Sequence, residues 1–580
     1  AAAGPVAMAP PSWDVPAAPT RAAFPWVEWH GYFRFRPDII GNGHLGLAEE
    51  SSTKPKEVIT TSAILPPLSL WPQNNDPNQN NFSGKVGKGR DETTISGASM
   101  RIRIAPTLHL ADTVRIKTTV DIFDNHVLGS TPDYAGSIKR PDVPLVAFAT
   151  SSRPGVVSVQ EAYGEWKTLF GLLRVGRQAS HWGLGIFANG GGGNGWDHGR
   201  PIETYGGGLL PHDGSGYEAD YASYVDRAAF VTKIGVPYVA LFWDWASQGV
   251  LARDPSRIDG AARDITDDDD VNQVGLALFS KPMTEQEIDA RKALLLDHFG
   301  SSFDWGLYSV YRWQRSDTEY KGTVPGEMDA GDADSAKLMP REAWAVAADL
   351  WGRYENRLSF GSRIVVEAEA ATLFGHIDHV EPLVGKANTD ETARDIRMWG
   401  AALKGAWQDE GIAVSFDGGV ASGDDTRCFG VYGGGNCGIA TADGNPNKEI
   451  TGFKFHRGYR VDTLLFRDVI GAITNTWYIK PTFTMNAHPF YATDLLGIDL
   501  AVMYAGAMSA DGTPGGGSGL GAEFQARGFL GKKGLFFAEV EFAYLLPGDG
   551  LDLKAGWNGV AEDKEAEGAW RLLTHLALTF

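Results

Sequence analysis

Apolar and polar positions alternate along nearly the whole chain with a period of two, the signature of β-strands whose two faces meet different surroundings. In "VEWHGYFRFR", Val27, Trp29, Phe33 and Phe35 share one parity, while Glu28, His30, Tyr32, Arg34 and Arg36 share the other. "SMRIRIA" sets Met100, Ile102 and Ile104 against Arg101 and Arg103, and "TVRIKTTVDIF" sets Val114, Ile116, Val120 and Ile122 against Arg115, Lys117, Thr119 and Asp121. Near the end, "GLGAEFQAR" opposes Phe524 to Glu523, Gln525 and Arg527, and "LFFAEVEFAY" opposes Val540 and Phe542 to Glu539 and Glu541. Each stretch has one apolar face and one face that carries charge.

This reading predicts strands near 26–36, 99–109, 113–123, 157–167, 170–178, 226–234, 236–246, 271–281, 304–315, 343–354, 358–370, 396–408, 412–421, 472–484, 497–508, 518–527, 535–545 and 570–580. A soluble sandwich also alternates, so the links decide. A long insertion is followed by "LADT", another by "TL", another by "IG"; later short links are "ENR" and "DEG". Long loops on one side and tight turns on the other are the habit of a transmembrane barrel. The expected fold class is therefore all-β: a transmembrane antiparallel up-and-down barrel of about 18 strands, range roughly 16 to 20. Tryptophans near strand ends, such as Trp166, Trp243, Trp245 and Trp407, fit interfacial girdles.

One link breaks the rhythm. In "MTEQEIDARKALLLDHFG", Thr284 and Glu287 form a capping box, and Ile288, Leu295 and Leu296 lie at helical spacing. Residues 282–300 are expected to form a short periplasmic helix packed under the rim, with a docking helix for a periplasmic partner as the rival.

Composition narrows the picture. No window approaches the roughly 18 apolar residues of a membrane-spanning helix. The first residues, "AAAGPVAMAPPSWDVPAAPT", lack a basic segment and a long apolar core, so 1–24 are expected to be a Pro/Ala-rich arm left after a leader was removed, with 25–580 the barrel. Net charge is -20, which argues against nucleic acid as a partner. The two cysteines, Cys428 and Cys437, share a glycine-rich stretch in the loop 422–470, expected to be external, and in an exported protein that favours a disulfide over free thiols.

A barrel this wide cannot be filled by its own side chains, so the inward parity becomes the candidate functional surface. Strands one to three contribute Arg34, Arg36, Arg101, Arg103, Arg115 and Lys117, a basic strip that favours anionic or hydroxyl-rich solutes. Acids elsewhere are Glu161, Glu165, Glu367, Glu523, Glu539 and Glu541. The alternative is that these charges pair across neighbouring strands and stiffen the wall. Asp267, Asp268, Asp269 and Asp270 form an oxygen-rich run that is either a calcium site or a solvated charge run, and it lacks the glycine spacing of a calcium loop. No other cofactor is expected. No Walker, HExxH or GxSxG sequence occurs, and adjacent Ser180 and His181 on a strand would point to opposite faces, so an enzyme is not expected.

The last strand ends on Phe580, preceded at alternate positions by Leu578 and Leu576, and this looks like the terminal signal read by the barrel-assembly machinery. With that ending the chain resembles Gram-negative outer-membrane porins. "EFQARGFLGKKGLFFAEVEFAYLLPGDGLDL" is similar to the penultimate hairpin of large-pore and polysaccharide-export-type barrels, and "LRVGRQASHWGLGIFANG" to a segment common in porin-like proteins. The resemblance implies a cleaved signal peptide, residence among outer-membrane lipid and lipopolysaccharide, and passive diffusion of hydrophilic solutes. It also implies that the third long loop, 179–225, folds into the lumen and brings Asp197, His198, Arg200, Glu203 and Asp213 to a constriction; an external cap is the alternative. Two rival functions are a plugged barrel serving as an adhesion or assembly anchor, and an exporter with a periplasmic partner.

Overall fold

The computed structural model describes residues 24–47, 49–50, 58–59, 94–127, 157–191, 196–197, 200–201, 220–247, 267–318, 338–359, 362–379, 393–409, 411–426, 448–487, 494–532, 535–555, 557 and 562–580. Eighteen antiparallel strands close a barrel: β1 (Gly31–Gly41), β2 (Thr94–Ile104), β3 (Val114–Val127), β4 (Val157–Lys167), β5 (Leu172–Ala179), β6 (Tyr224–Lys233), β7 (Tyr238–Ser247), β8 (Val271–Ser280), β9 (Ser301–Thr318), β10 (Leu338–Arg357), β11 (Arg363–Ile377), β12 (Arg394–Asp409), β13 (Ile412–Ala421), β14 (Thr476–Ala487), β15 (Asp494–Ala507), β16 (Gly519–Lys532), β17 (Phe536–Pro547) and β18 (Ala569–Thr579). Each pairs with its neighbours in sequence, and β1 closes the ring between β2 and β18, with Arg34 opposite both Arg101 and Ala577. Closure leaves every stave paired on both edges, the condition for backbone in hydrocarbon.

Two expected strands are interrupted. Residues 99–109 break at Pro106, which has no N–H to give the ladder; Thr107–His109 then pairs with Trp26–Glu28 rather than with β1. Trp26 stacks on His109 at 3.9 Å there. At the seam, Gly31 and Phe580 exchange backbone hydrogen bonds of 3.0 and 3.1 Å. A Cβ on Gly31 would lie 2.6 Å from the Phe580 ring, so only glycine admits it.

The outward parity carries Leu241, Leu307, Leu403, Leu500, Phe524 and Leu578, all exposed and spread around the ring. An apolar belt of this extent is incompatible with water and matches the hydrocarbon of a membrane. Tryptophans crowd it near the long-loop side, where Trp243 meets Trp313 edge-on at 5.7 Å and Trp313 faces Trp344 across strands. Leu576 and Phe580 lie on the same outer surface as Leu578.

The helix α1 (Glu285–Leu296) forms where the capping box places it. Thr284 accepts from the Glu287 backbone at 3.3 Å, and the Glu287 carboxylate accepts the backbone N–H groups of Thr284 and Met283 at 3.2 and 2.9 Å. Ile288 and Leu295 are buried under the rim, and Arg291 grips Asp304 on β9 with bonds of 3.0 and 2.6 Å.

Candidate functional site

The inward parity of β1 to β5 holds the charges that alternation assigned to it, and they are paired. Asp220, arriving from the β5–β6 loop, accepts from Arg34 at 3.1 Å, from Arg101 at 2.9 Å and from Arg36. Arg103 makes a two-pronged bond to Asp121 of β3, 2.6 and 2.7 Å. Glu165 on β4 accepts from Arg115, stands 2.7 Å from Arg174 and 3.9 Å from Lys117. Glu161 accepts from the Thr119 hydroxyl and the Ala179 backbone at 2.7 and 3.1 Å. The basic strip is thus held in fixed geometry by three carboxylates, two on the wall and one on a loop. Arg115, Lys117 and Arg174 keep about a third of their side-chain surface open, so this lower group still presents positive charge to the lumen.

The opposite wall is built differently. Residues 451–475 of the β13–β14 loop turn into the barrel, correcting the expectation that 422–470 is external throughout. Their sequence explains it: Leu464, Leu465, Phe466, Val469 and Ile470 form an apolar run without strand alternation, and all five are buried. Phe453, Phe455 and Tyr459 pack edge to face at 5.7 and 5.4 Å, and Phe466 packs on Tyr478 of β14 at 5.9 Å.

Wall charges hold this plug by its backbone. Glu523 of β16 accepts the N–H groups of Thr463, Leu464 and Leu465 at 2.9, 3.2 and 2.8 Å, capping a π-helical turn (Leu465–Val469) that supplies no side-chain cap of its own beside Leu464. Asp462 accepts from Phe466 and Arg467 at 2.6 and 3.2 Å. Arg571 of β18 reaches Asp38 at 2.9 and 2.6 Å, the Thr463 carbonyl at 2.8 Å, and Asp468. Glu541 takes Arg460 at 2.7 Å and the Thr463 hydroxyl, while Glu539 lies 2.8 Å from His575 and 3.5 Å from Arg527. Glu523 and Glu541 therefore anchor a loop, a role their positions on strands did not disclose.

The two inward loops meet at His456. Its backbone N–H donates to the Ile186 carbonyl at 2.8 Å, its Nε2 lies 2.8 Å from the Ser223 hydroxyl, and its Nδ1 accepts the Gly458 N–H at 2.9 Å. Burial pushes the His456 imidazole down to about 4, and acceptance of an N–H at Nδ1 requires the neutral ring. The β5–β6 loop is pinned to the wall by Glu369 of β11, which accepts the Gly185 N–H at 2.8 Å. Gly183 has a φ of +54°, and a Cβ there would come within 2.6 Å of that carboxylate. Between the loops lies a small cleft that opens to solvent, lined by Asp220, Tyr221, His456, Arg457, Arg460 and Arg467 among others. Arg457 covers the Tyr221 ring at 4.1 Å.

A third sector, β6 to β10, puts aromatic rings on the inward face. Trp182 stacks on Tyr308 at 5.3 Å, Phe242 on Tyr308 at 5.5 Å, and Tyr238 on Phe279 at 5.6 Å. Parity places Phe242, Phe279 and Tyr308 inward on their strands, while Trp182 arrives from the β5–β6 loop; apolar residues on both faces hide the alternation in this sector.

Glu367 accepts from the Trp351 indole at 2.7 Å and lies 3.7 Å from Arg353. Asp197 and Arg200 pair through their backbones in a small hairpin. His198, Glu203, Asp213, Cys428 and Cys437 lie outside the described residues. Asp267 and Asp268 are exposed, with Asp268 3.7 Å from Arg315, and Asp269 and Asp270 are buried. Among the described residues no group of three or more His, Cys, Asp or Glu is arranged to hold a metal ion. Ser180 accepts from Arg227 at 3.2 Å, while the His181 ring engages the Gly183 carbonyl and accepts the Gly190 N–H.

No family model and no curated protein sequence matches the chain. Among solved structures it is similar to OccAB2 of Acinetobacter baumannii, with TM-score 0.42 and 8% identity over 95% of this chain and 98% of that one. It is similar to OpdK of Pseudomonas aeruginosa, solved with vanillate, with TM-score 0.39 and 9% identity over 95% and 99%. It is also similar to OmpT of Vibrio cholerae, an outer-membrane protein, with TM-score 0.33 and 8% identity over 97% and 99%. At these scores the likeness carries no argument, and the barrel rests on its own strand registers.

Proposed function

We propose that the chain is an outer-membrane channel through which hydrophilic solutes diffuse, with a preference for anionic or hydroxyl-rich ones. The observation that carries this is the asymmetry of the lumen: an apolar plug packs against β13 to β18, while the face of β1 to β5 stays polar, with Arg115, Lys117 and Arg174 open to water around the single carboxylate of Glu165. Arginine and lysine held in place offer a file of donors to carboxylate, phosphate or hydroxyl groups without reorganising. The apolar belt would sit among phospholipid and lipopolysaccharide, with Leu576, Leu578 and Phe580 on the surface offered to the assembly machinery.

Planar-bilayer recording of the purified barrel tests this. Steady single-channel currents with anion preference are expected, and neutralising Arg34, Arg101 and Arg115 together shifts the reversal potential toward cations. Unchanged selectivity in that variant removes the anionic preference. The anchored plug favours a second reading, a closed barrel serving as an adhesion or assembly anchor; well-folded protein that passes no current would sink the channel and support that reading.

A further inference from the structure

The short-turn end of the barrel carries a charge cluster well round the ring from the β1–β5 wall. Arg357 closes β10 and Arg363 opens β11; they are cross-strand partners and both point inward, each 3% exposed. Among the described residues, Nε and Nη2 of Arg357 and Nη2 of Arg363 have no hydrogen-bond acceptor. The neighbouring groups do not supply one. Glu355 on β10 pairs ionically with Arg363 at 3.7 Å, too far for a hydrogen bond, and its own Oε1 likewise lacks a hydrogen-bond partner, while Gln408 on β12 takes only the Arg363 Nε at 3.1 Å. Asp304 on β9 is occupied by Arg291 from α1, and Glu367 on β11 by the Trp351 indole.

Buried guanidinium donors without acceptors are costly, and two such cations side by side compound the cost. A ligand with several oxygens and negative charge relieves both at once, because planar guanidinium forks match oxyanions. We propose that Arg357 and Arg363 form a binding site for a small oxyanion, phosphate or a carboxylate, at the short-turn mouth of the lumen. The pair lies on the inward face, away from the lipid belt, so the ligand is a free anion rather than a lipid headgroup. The site is independent of conduction: it binds whether or not the barrel passes current.

The experiment uses the full chain in uncharged detergent and inorganic phosphate as probe, with sodium chloride at matched ionic strength as control. Phosphate is expected to raise the unfolding temperature saturably and to broaden the phosphorus resonance. Arg363→Gln is expected to weaken the apparent affinity by about tenfold or more, as loss of one charged fork implies. Arg177→Gln, on the outer surface, leaves the affinity unchanged. Equal phosphate responses in the native chain and Arg363→Gln overturn the site. A response to phosphatidylglycerol without one to phosphate also overturns it, by assigning the arginines to a headgroup. Should Arg363→Gln fail to fold, Arg357→Lys, which keeps charge but loses the fork, and the phosphorus titration of the native chain decide: absence of saturable broadening rejects the proposal.

Discussion

The wall of β1 to β5 and the wall of β13 to β18 are made from the same residue types and do different things with them. On the first, arginines pair with carboxylates on adjacent strands and reach the β5–β6 loop through Asp220. On the second, Glu523, Glu541 and Arg571 bond to the backbone and side chains of a loop that brings its own apolar core. What a loop carries decides the outcome. Leu464, Leu465, Phe466, Val469 and Ile470 need cover, so the β13–β14 loop becomes solid packing; the β5–β6 loop adds Ile186 to that core, but its Asp220 needs cations and draws the arginines of β1 and β2.

The contrast breaks most readily at Glu523. Glu523→Ala leaves three backbone N–H groups of the plug without their acceptor, a loss of about 1 to 3 kcal/mol. If the plug closes the path, that loss raises the fraction of open time in bilayer recordings by about 5- to 150-fold. Unchanged currents in folded Glu523→Ala would mean the plug stands aside from the path.

Asp220→Asn tests the other wall. Removing that negative charge leaves Arg34, Arg36 and Arg101 with excess positive charge, and chloride permeability relative to potassium is expected to rise by about tenfold or less. A reversal potential that does not move would show that this group lies off the conducting route.

A pH experiment probes the seam where the loops meet. His456 titrates near 4 in place and near 6.5 when released, so the released form binds more protons between those values. The seam is intact above about pH 6.5 and weakens as pH falls toward 4. Gating events should become more frequent over that window in the native chain and lose the dependence in His456→Gln; persistence in the variant places the sensor elsewhere.

The smallest effect is expected outside the lumen. Burial would raise the Glu287 carboxyl, yet hydrogen bonds from Lys233, Met283 and Tyr238 hold it down at about 2, so its contribution is present above about pH 4.5 and fades as pH falls toward 2. Glu287→Ala should cost about 1 kcal/mol in thermal unfolding and leave conductance unchanged. An altered conductance would tie α1 to the pore.

These outcomes bear on what was legible beforehand. The strand count and the long–short loop rhythm could be read because parity repeats on most staves, β6 to β10 being the blurred sector, and does not depend on distant contacts. The inward position of Arg34, Arg101, Glu165 and Glu539 followed from the same rule. Their partners did not, since Asp220 lies outside any strand and nothing local ties it to Arg34. Pro106 was a local signal of the broken second strand. The inward plug had a signal too, the unalternating run "TLLFRDVI", but an external loop can carry such a run, and only the Glu523 and Arg571 contacts give it a place.

The cap that Glu523 places on the plug ties together parts of the chain that lie far apart in sequence. Thr463, which it holds, lies 60 positions earlier in the chain, and Arg571 reaches the same turn from 108 positions later. The Arg571 bonds need β18 in place and the Glu523 bonds need only β16, so the turn is held from both sides only once the last stave is laid. The last stave thus completes two things at once, the ring through its seam with β1 and the grip on the inner loop through Arg571.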